Sequence, residues 1–357
     1  MGEWPTRALS DLISLQRGYD LPTETRSAGT VPVVGSGGIS GWHNEAREEG
    51  LGVVVGRAGA SIGKPTLVKG PYWPLNTTLF VKDFKGNNPR WVYYLFEITD
   101  FAGFNSGGAQ PMLNRNYIAG LQVRTPGISE QGAIADLLGA LDDKIAANSR
   151  ILATLDELAS VSYESSLMRG SDEVVLDRVA QFHNRARVPL SSRERQSRVG
   201  MVPYYGAAGR IGFVDEAIFD ERLVLVGEDG SVMQEDGRPV VQYIWGPSWV
   251  NNHAHVLTGK SISTELLKIA VGRSNVAHLV TGAVQPKISM RNLKSLILRL
   301  PVDVRMLEQK VQGFAALHRA LSLENNAVTQ MRDELLPLLM SGKIRVREVE
   351  KVVEGVV

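Results

Sequence analysis

The chain has 357 residues, 43% hydrophobic and 22% charged, which suits two or three folded domains and excludes a disordered chain. It has no cysteine, so disulfides, thiolate metal sites and thiol nucleophiles are excluded together. The net charge is only +1, which by itself selects no partner. Read from the N-terminus, Met1 to Leu12 lacks a basic and apolar leader pattern, so no signal peptide is expected. No apolar run approaches the length of a membrane span, and a soluble, cytoplasmic protein with no membrane partner is the expectation.

Short strands and turns come first. Leu51-Gly52-Val53-Val54-Val55 and Leu79-Phe80-Val81 are strand candidates, with turns at Gly35-Ser36-Gly37-Gly38 and Gly86-Asn87-Asn88-Pro89. Trp91 to Thr99 reads as a short helix. From Ser129, taken as an N-cap, Ile134, Leu138, Leu141, Ile145, Asn148, Leu152, Leu155, Ala159 and Ser162 alternate steps of four and three. That is a heptad seam held over four heptads, the pattern of a coiled-coil helix. The strand-rich character then returns, with Leu223-Val224-Leu225-Val226, Val240 to Trp245 and a helical Thr264 to Val271. A second seam follows at Leu307, Val311, Phe314, His318, Leu321, Asn325, Val328, Arg332 and Leu335. Pro337 is expected to end or kink this helix, and Ser341-Gly342-Lys343 to stop it, leaving 344–357 as a variable tail.

The order is a duplication. Val31-Pro32-Val33-Val34-Gly35 recurs as Val202-Pro203-Tyr204-Tyr205-Gly206, Gly108-Ala109-Gln110-Pro111 as Ala283-Val284-Gln285-Pro286, and Asp156-Glu157-Leu158 as Asp333-Glu334-Leu335. The expected divisions are 1–128 and 171–302 as mixed domains, 129–170 and 303–342 as helices, and 343–357 as tail. The charge balance is +2 over 1–128, −4 over 129–170, +3 over 171–302 and zero beyond, which suits a polyanion meeting the mixed domains and equally fits ordinary scatter of surface charge. The expected fold is α+β: two mixed α/β domains separated by two long antiparallel coiled-coil helices, with an internal pseudo-twofold repeat. Asn148 and Asn325 hold matching seam positions, where a polar residue sets register at a cost in stability.

Catalytic patterns are missing. Gly56 to Lys64 is one residue too short for a phosphate-binding P-loop, and Pro65 stands where Ser or Thr is needed. No Asn/Asp-Pro-Pro-aromatic tetrad of an amino-methyltransferase occurs. Gly35 to Gly41 is no dinucleotide fingerprint, and His253 with His255 lacks further metal-binding partners. What remains is polar and basic loop material of the kinds that meet base edges and phosphates. In the first copy these are Arg57, Lys64, Asn76, Thr77, Thr78 and Arg115. In the second they are Arg185, Arg187, Arg210, Asn252, His253, Lys287 and Arg291. Each taken singly is equally an ordinary exposed loop side chain.

Gly108 to Asn114, Leu121-Gln122-Val123, Pro126, Glu130-Gln131, Ile134-Ala135, Leu138, Leu141 to Ile145 and Asn148 carry a resemblance. With Gln285 to Ser289, Pro301, Glu308-Gln309 and Leu335 to Ile344, they resemble the domain–helix junctions of type I restriction–modification specificity subunits. Two departures stand out: Gly127-Ile128 where a second Pro is common, and a longer spacer before Glu308-Gln309. The resemblance implies two target-recognition domains, each reading one half of a bipartite double-stranded DNA site, and helices whose length sets the gap. It implies two docked methyltransferase subunits using S-adenosylmethionine, two motor-nuclease subunits using ATP and Mg that can join them, and no cofactor or catalytic site in this chain. The outer helix face with Asp142, Asp143 and Arg150 is expected to meet the methyltransferase. The alternative is a duplicated sequence-specific DNA-binding regulator without a methyltransferase partner.

Overall fold

The structure is a computed structural model. It describes residues 4–104, 112–282 and 284–348; the junction residues Gly108-Ala109-Gln110-Pro111 and Ala283 lie outside the described residues. The chain divides into two compact units, 1–147 with 324–357, and 148–323.

In the first unit the run Leu51–Gly56 is one of two inner strands of an antiparallel four-stranded sheet, ordered Ser14–Arg17, Thr78–Asp83, Leu51–Gly56, Pro65–Lys69. Consecutive valines work here because both faces of the sheet are covered, unlike the half-exposed sheet that alternation signals. Val53 and Val55 join Leu79, Trp91, Leu95, Ile134, Leu138 and Leu339 in one core. Val54 faces the other way, with Val34, Val68, Tyr72 and Phe80. A second sheet, ordered Gly38–His43, Val31–Gly35, Trp73–Pro74, closes that side. Helix Pro89–Ile98 starts on the side chain of Asn88, which accepts from the amides of Arg90 and Trp91, and buries Trp91, Val92 and Leu95.

The second unit repeats this plan. Its four-stranded sheet is ordered Ala180–Phe182, Ala254–Gly259, Leu223–Gly227, Val241–Ile244, and its second sheet Arg210–Val214, Val202–Tyr205, Pro247–Val250, Phe219–Asp220. Val224 and Val226 face a core with Leu266, Leu267, Leu307 and Val311, while Leu223 and Leu225 face Val250 and Val256. Strands Leu51–Gly56 and Leu223–Gly227 end in a glycine for the same reason. A Cβ on Gly56 would sit 2.1 Å from the Ser61 carbonyl oxygen, and one on Gly227 would sit 2.4 Å from that of Ser231.

The first long helix spans Ile128–Met168 and the second Val304–Met340. At about 1.5 Å per residue they are rods of roughly 60 and 55 Å. Along the first, Leu138, Asn148 and Leu155 are buried and Leu141, Ile145 and Leu152 half-buried. Along the second, Leu307 and Val311 are buried and Phe314, Leu321, Asn325, Val328 and Leu335 half-buried. Within the first unit the helices run antiparallel, since Asp142 pairs with Arg332 at 3.6 Å, Lys144 with Glu324 at 2.9 Å, and Glu130 with Arg345.

Two local expectations are corrected. The first helix begins before Ser129, which lies inside its first turn; the amides of Glu130 and Gln131 bond to the Gly127 carbonyl instead. Pro337 does not end the second helix, which runs on to Met340 because Leu336, Leu339 and Met340 are buried and hold the last turn. Gly342, at φ 71°, makes the stop. Beyond the helix the chain packs on the first unit as far as residue 348. Val346 is buried in the first core, and Arg345 lies over the Trp4 ring at 4.6 Å while pairing with Glu130.

Candidate nucleic-acid interface

At the end of strand Leu51–Gly56 the chain turns into Arg57, which is half-buried. Its backbone is fixed by two bonds, amide to the Thr77 carbonyl at 2.9 Å and carbonyl from the Leu113 amide at 2.8 Å. Among the described residues its guanidinium reaches only weak acceptors, the Asn76 carbonyl at 3.4 Å and the Met112 sulfur at 3.3 Å. Arg17 Nε donates to the same Asn76 carbonyl at 3.4 Å. Burial, and then the Arg17 charge, push the Arg57 pKa below its usual value. The Asn76 side chain donates to Asp20, and Ser36 Oγ donates to the Thr77 carbonyl at 2.5 Å. So Arg57, Asn76 and exposed Thr77 come together, joined by Arg17 and Ser36, which composition and spacing did not single out. Thr78 is corrected: it is fully buried and its hydroxyl donates to the Leu75 carbonyl at 2.7 Å, so it has no surface to offer. Lys64 is exposed on the glycine turn. Arg115 is exposed on helix Arg115–Ile118 and donates at 3.4 Å to the Leu15 carbonyl, outside this group.

The same place in the second unit carries the opposite sign. Gly227 is followed by Glu228, whose carboxylate accepts from Arg187 at 2.6 Å and has Lys287 at 3.6 Å. Arg187 also donates to the carbonyls of Asn184 at 2.9 Å, Ala254 at 2.7 Å and Asn252 at 3.2 Å. It is therefore corrected from a reaching side chain to a half-buried brace. His255 is buried below it, with Nε2 2.8 Å from the Ile288 carbonyl and Nδ1 2.8 Å from the Asn184 side-chain nitrogen. Burial pushes its pKa below 6.5, partly opposed by the Ile288 bond. The neutral ring fits both bonds, so its 3.5 Å approach to Glu228 is not an ion pair. A group lowered in the folded state binds its proton more readily when unfolded, so stability should fall as pH drops below about 6.5. Thermal melts at pH 7.5 and 5.5 check this: His255→Gln should lose the extra acid sensitivity, and an unchanged slope would count against it.

Around this brace stand exposed Asn252 and His253, the latter bonded to Asp229. Arg185 is exposed on the short turn Asn184–Ala186, and Arg291 on helix Met290–Lys294. Arg210 is exposed over the Phe213 ring at 4.7 Å, on a hairpin edge separate from the brace.

Each unit ties its mixed part to its stretch of helix through ionic contacts. In the first, Asp142 accepts from Tyr94 Oη at 2.6 Å and Asp143 from Arg90 at 3.1 Å and Lys69 at 3.2 Å. Both acids thus make contacts within their own unit, Asp142 half-buried and Asp143 exposed, as is Arg150. In the second, Glu265 is 4% exposed and accepts from Tyr243 at 2.8 Å and Arg222 at 2.9 Å, with Arg319 at 3.5 Å. His318 at 3.6 Å and Lys268 at 2.9 Å hold the Asp156 carboxyl down to about 2. Among the described residues no group of three or more His, Asp or Glu is placed to hold a metal ion, and no helix is long and apolar enough to cross a membrane.

The family model for the type I restriction modification DNA specificity domain matches residues 1–157 and again 168–329. The chain belongs to this family. The two matches coincide with the two copies of the repeat. A Haemophilus influenzae protein named for a type I restriction enzyme specificity subunit is 32% identical over 127 residues, 35% of this chain and 32% of that one. The EcoprrI specificity subunit of Escherichia coli is 28% identical over 111 residues, 31% of this chain and 28% of that one. The chain thus aligns with about a third of the length of these curated relatives. The solved S subunit of a type I restriction-modification system from M. genitalium shares the fold of the specificity-domain pair, with a TM-score of 0.69 at 18% identity over 94% of this chain and 96% of that one.

Proposed function

We propose that this chain is the DNA-recognition subunit of a type I restriction–modification complex, working in the cytoplasm. In this reading residues 1–128 and 171–302 each read one half of a bipartite duplex site. Helices 129–170 and 303–342 set the gap and seat two methyltransferase subunits, and 343–357 is a tail. The chemistry belongs to partners: S-adenosylmethionine to the methyltransferase, ATP and Mg to motor-nuclease subunits that can join.

The observation that carries the reading is one topology with two different mouths. The four-stranded sheets, their glycine exits and the long helices match between the copies, while the second sheet gains the strand Phe219–Asp220 and Arg57 stands where the second copy has Glu228. Two scaffolds of one shape with unlike reading surfaces suit a divided, asymmetric target. Mismatch costs of about 1–3 kcal/mol per base pair then add across the two halves. Exposed Lys64, Thr77 and Arg115 in the first copy, and Arg185, Arg210, Asn252, His253, Lys287 and Arg291 in the second, remain the proposed DNA contacts beside Arg57 and Asn76.

Co-expression with its methyltransferase subunit tests the assignment. The expected result is a stable complex that methylates DNA, while the chain alone transfers no methyl group. A chain that binds a specific duplex but never assembles with a methyltransferase would favour a DNA-binding regulator.

A further inference from the structure

We infer that Arg57 and Arg17 form a seat for one DNA phosphate in the first copy, with no counterpart in the second. The inference rests on the DNA-recognition reading above and adds to it a contact that fixes position without reading sequence.

A half-buried guanidinium normally meets a carboxylate, because desolvating its charge is otherwise costly. Among the described residues no carboxylate lies within ion-pair reach of Arg57, and residues 105–111 contain no Asp or Glu. Its neighbour Arg17 adds charge of the same sign and meets Asp20 only at 3.9 Å. Asp20 is three-quarters exposed and already accepts from Asn76. Two guanidiniums thus converge on one carbonyl oxygen, that of Asn76, with the exposed Asp20 carboxylate at 3.9 Å from Arg17 and none within ion-pair reach of Arg57 among the described residues. Around them the surface is stripped of bulk. Gly37 and Gly59 are exposed, and nothing lies within 4 Å of where a Cβ on Gly59 would be. A phosphate could therefore come close to the backbone, and a fork of N–H donors suits its oxygens.

The second copy shows what a neutralised version looks like. Glu228 replaces Arg57, and Arg187 and Lys287 satisfy it from within the chain. The acceptor that a phosphate would bring is already present there as the Glu228 carboxylate, 2.6 Å from the Arg187 guanidinium.

The test uses the full chain assembled with its methyltransferase subunits and a duplex carrying its own methylated motif. Binding is measured across salt concentrations, for that duplex and for one with each base pair of the half-site changed. Arg57→Gln should weaken binding about tenfold to all duplexes alike and reduce the slope of log K against log salt by about 0.9. Arg57→Lys should keep the slope, since a point charge still neutralises a phosphate. Arg17→Gln, at an exposed position, should weaken binding in the same uniform way and keeps the test open if Arg57→Gln unfolds. Unchanged affinity and slope would overturn the seat, and so would loss of preference at a single base pair. A wild-type complex with no duplex preference would instead overturn the recognition reading itself.

Discussion

Removing one heptad from each long helix, residues 146–152 and 322–328, should shorten the unspecified gap in the target by about three base pairs or abolish methylation. Seven residues at about 1.5 Å each amount to roughly 10 Å, and one base pair of duplex occupies about 3.4 Å. A whole heptad is chosen because the seam repeats every seven residues. Leu141 and Ile145 on one side of the cut, and Leu155 on the other, keep their phase, so the apolar stripe stays continuous. A deletion of three or four residues would rotate one half of the stripe into solvent and test folding instead. The measurement is the methylated motif in cells carrying the shortened chain. Methylation retained at the original spacing would show that the helices do not act as a ruler.

The second large effect concerns Glu265. Arg222→Ala or Arg319→Ala alone should cost about 1 kcal/mol, because each leaves the carboxylate another cation; Arg222 is itself half in solvent, which limits its share. Among the described residues, both together leave a carboxylate that is 4% exposed with only the Tyr243 hydroxyl. An uncompensated buried charge costs about 3–5 kcal/mol. The double variant should therefore lose more than the sum of the singles, which denaturant unfolding would read as a coupling. Adding Glu265→Leu to the double variant should recover much of the loss. Strict additivity would mean that the carboxylate is solvated in a way its burial denies. The first unit carries a related contact of reversed polarity, with the acid, Asp143, on the helix and the base, Arg90, on the mixed part.

Much of this fold could be read in the sequence because its strongest signals are periodic. The two seams and the valine-rich inner strands declare their burial directly, since few other arrangements bury such patterns. The points that could not be read depend on partners distant in sequence. Thr78 has a polar side chain suited to a surface, but strand pairing places it inside, where its own turn satisfies the hydroxyl. Arg187 looks like a free arginine until the fold brings Glu228, 41 residues away, to 2.6 Å. Asp142 and Asp143 lie off the seam, which suggested solvent, yet helix Pro89–Ile98 places Tyr94 and Arg90 against them. Pro337 breaks a local rule and survives because the last turn of its helix is packed. Arg17 gave no signal of its own; only the shared Asn76 carbonyl shows that it belongs with Arg57.

The central claim is that the two copies read two different half-sites, and mapping methylated bases across the genome of a host carrying this chain with its methyltransferase tests it most directly. The expected result is methylated bases in one asymmetric motif, two unlike specified blocks separated by a fixed unspecified gap. A contiguous motif, or two identical half-sites, would contradict it.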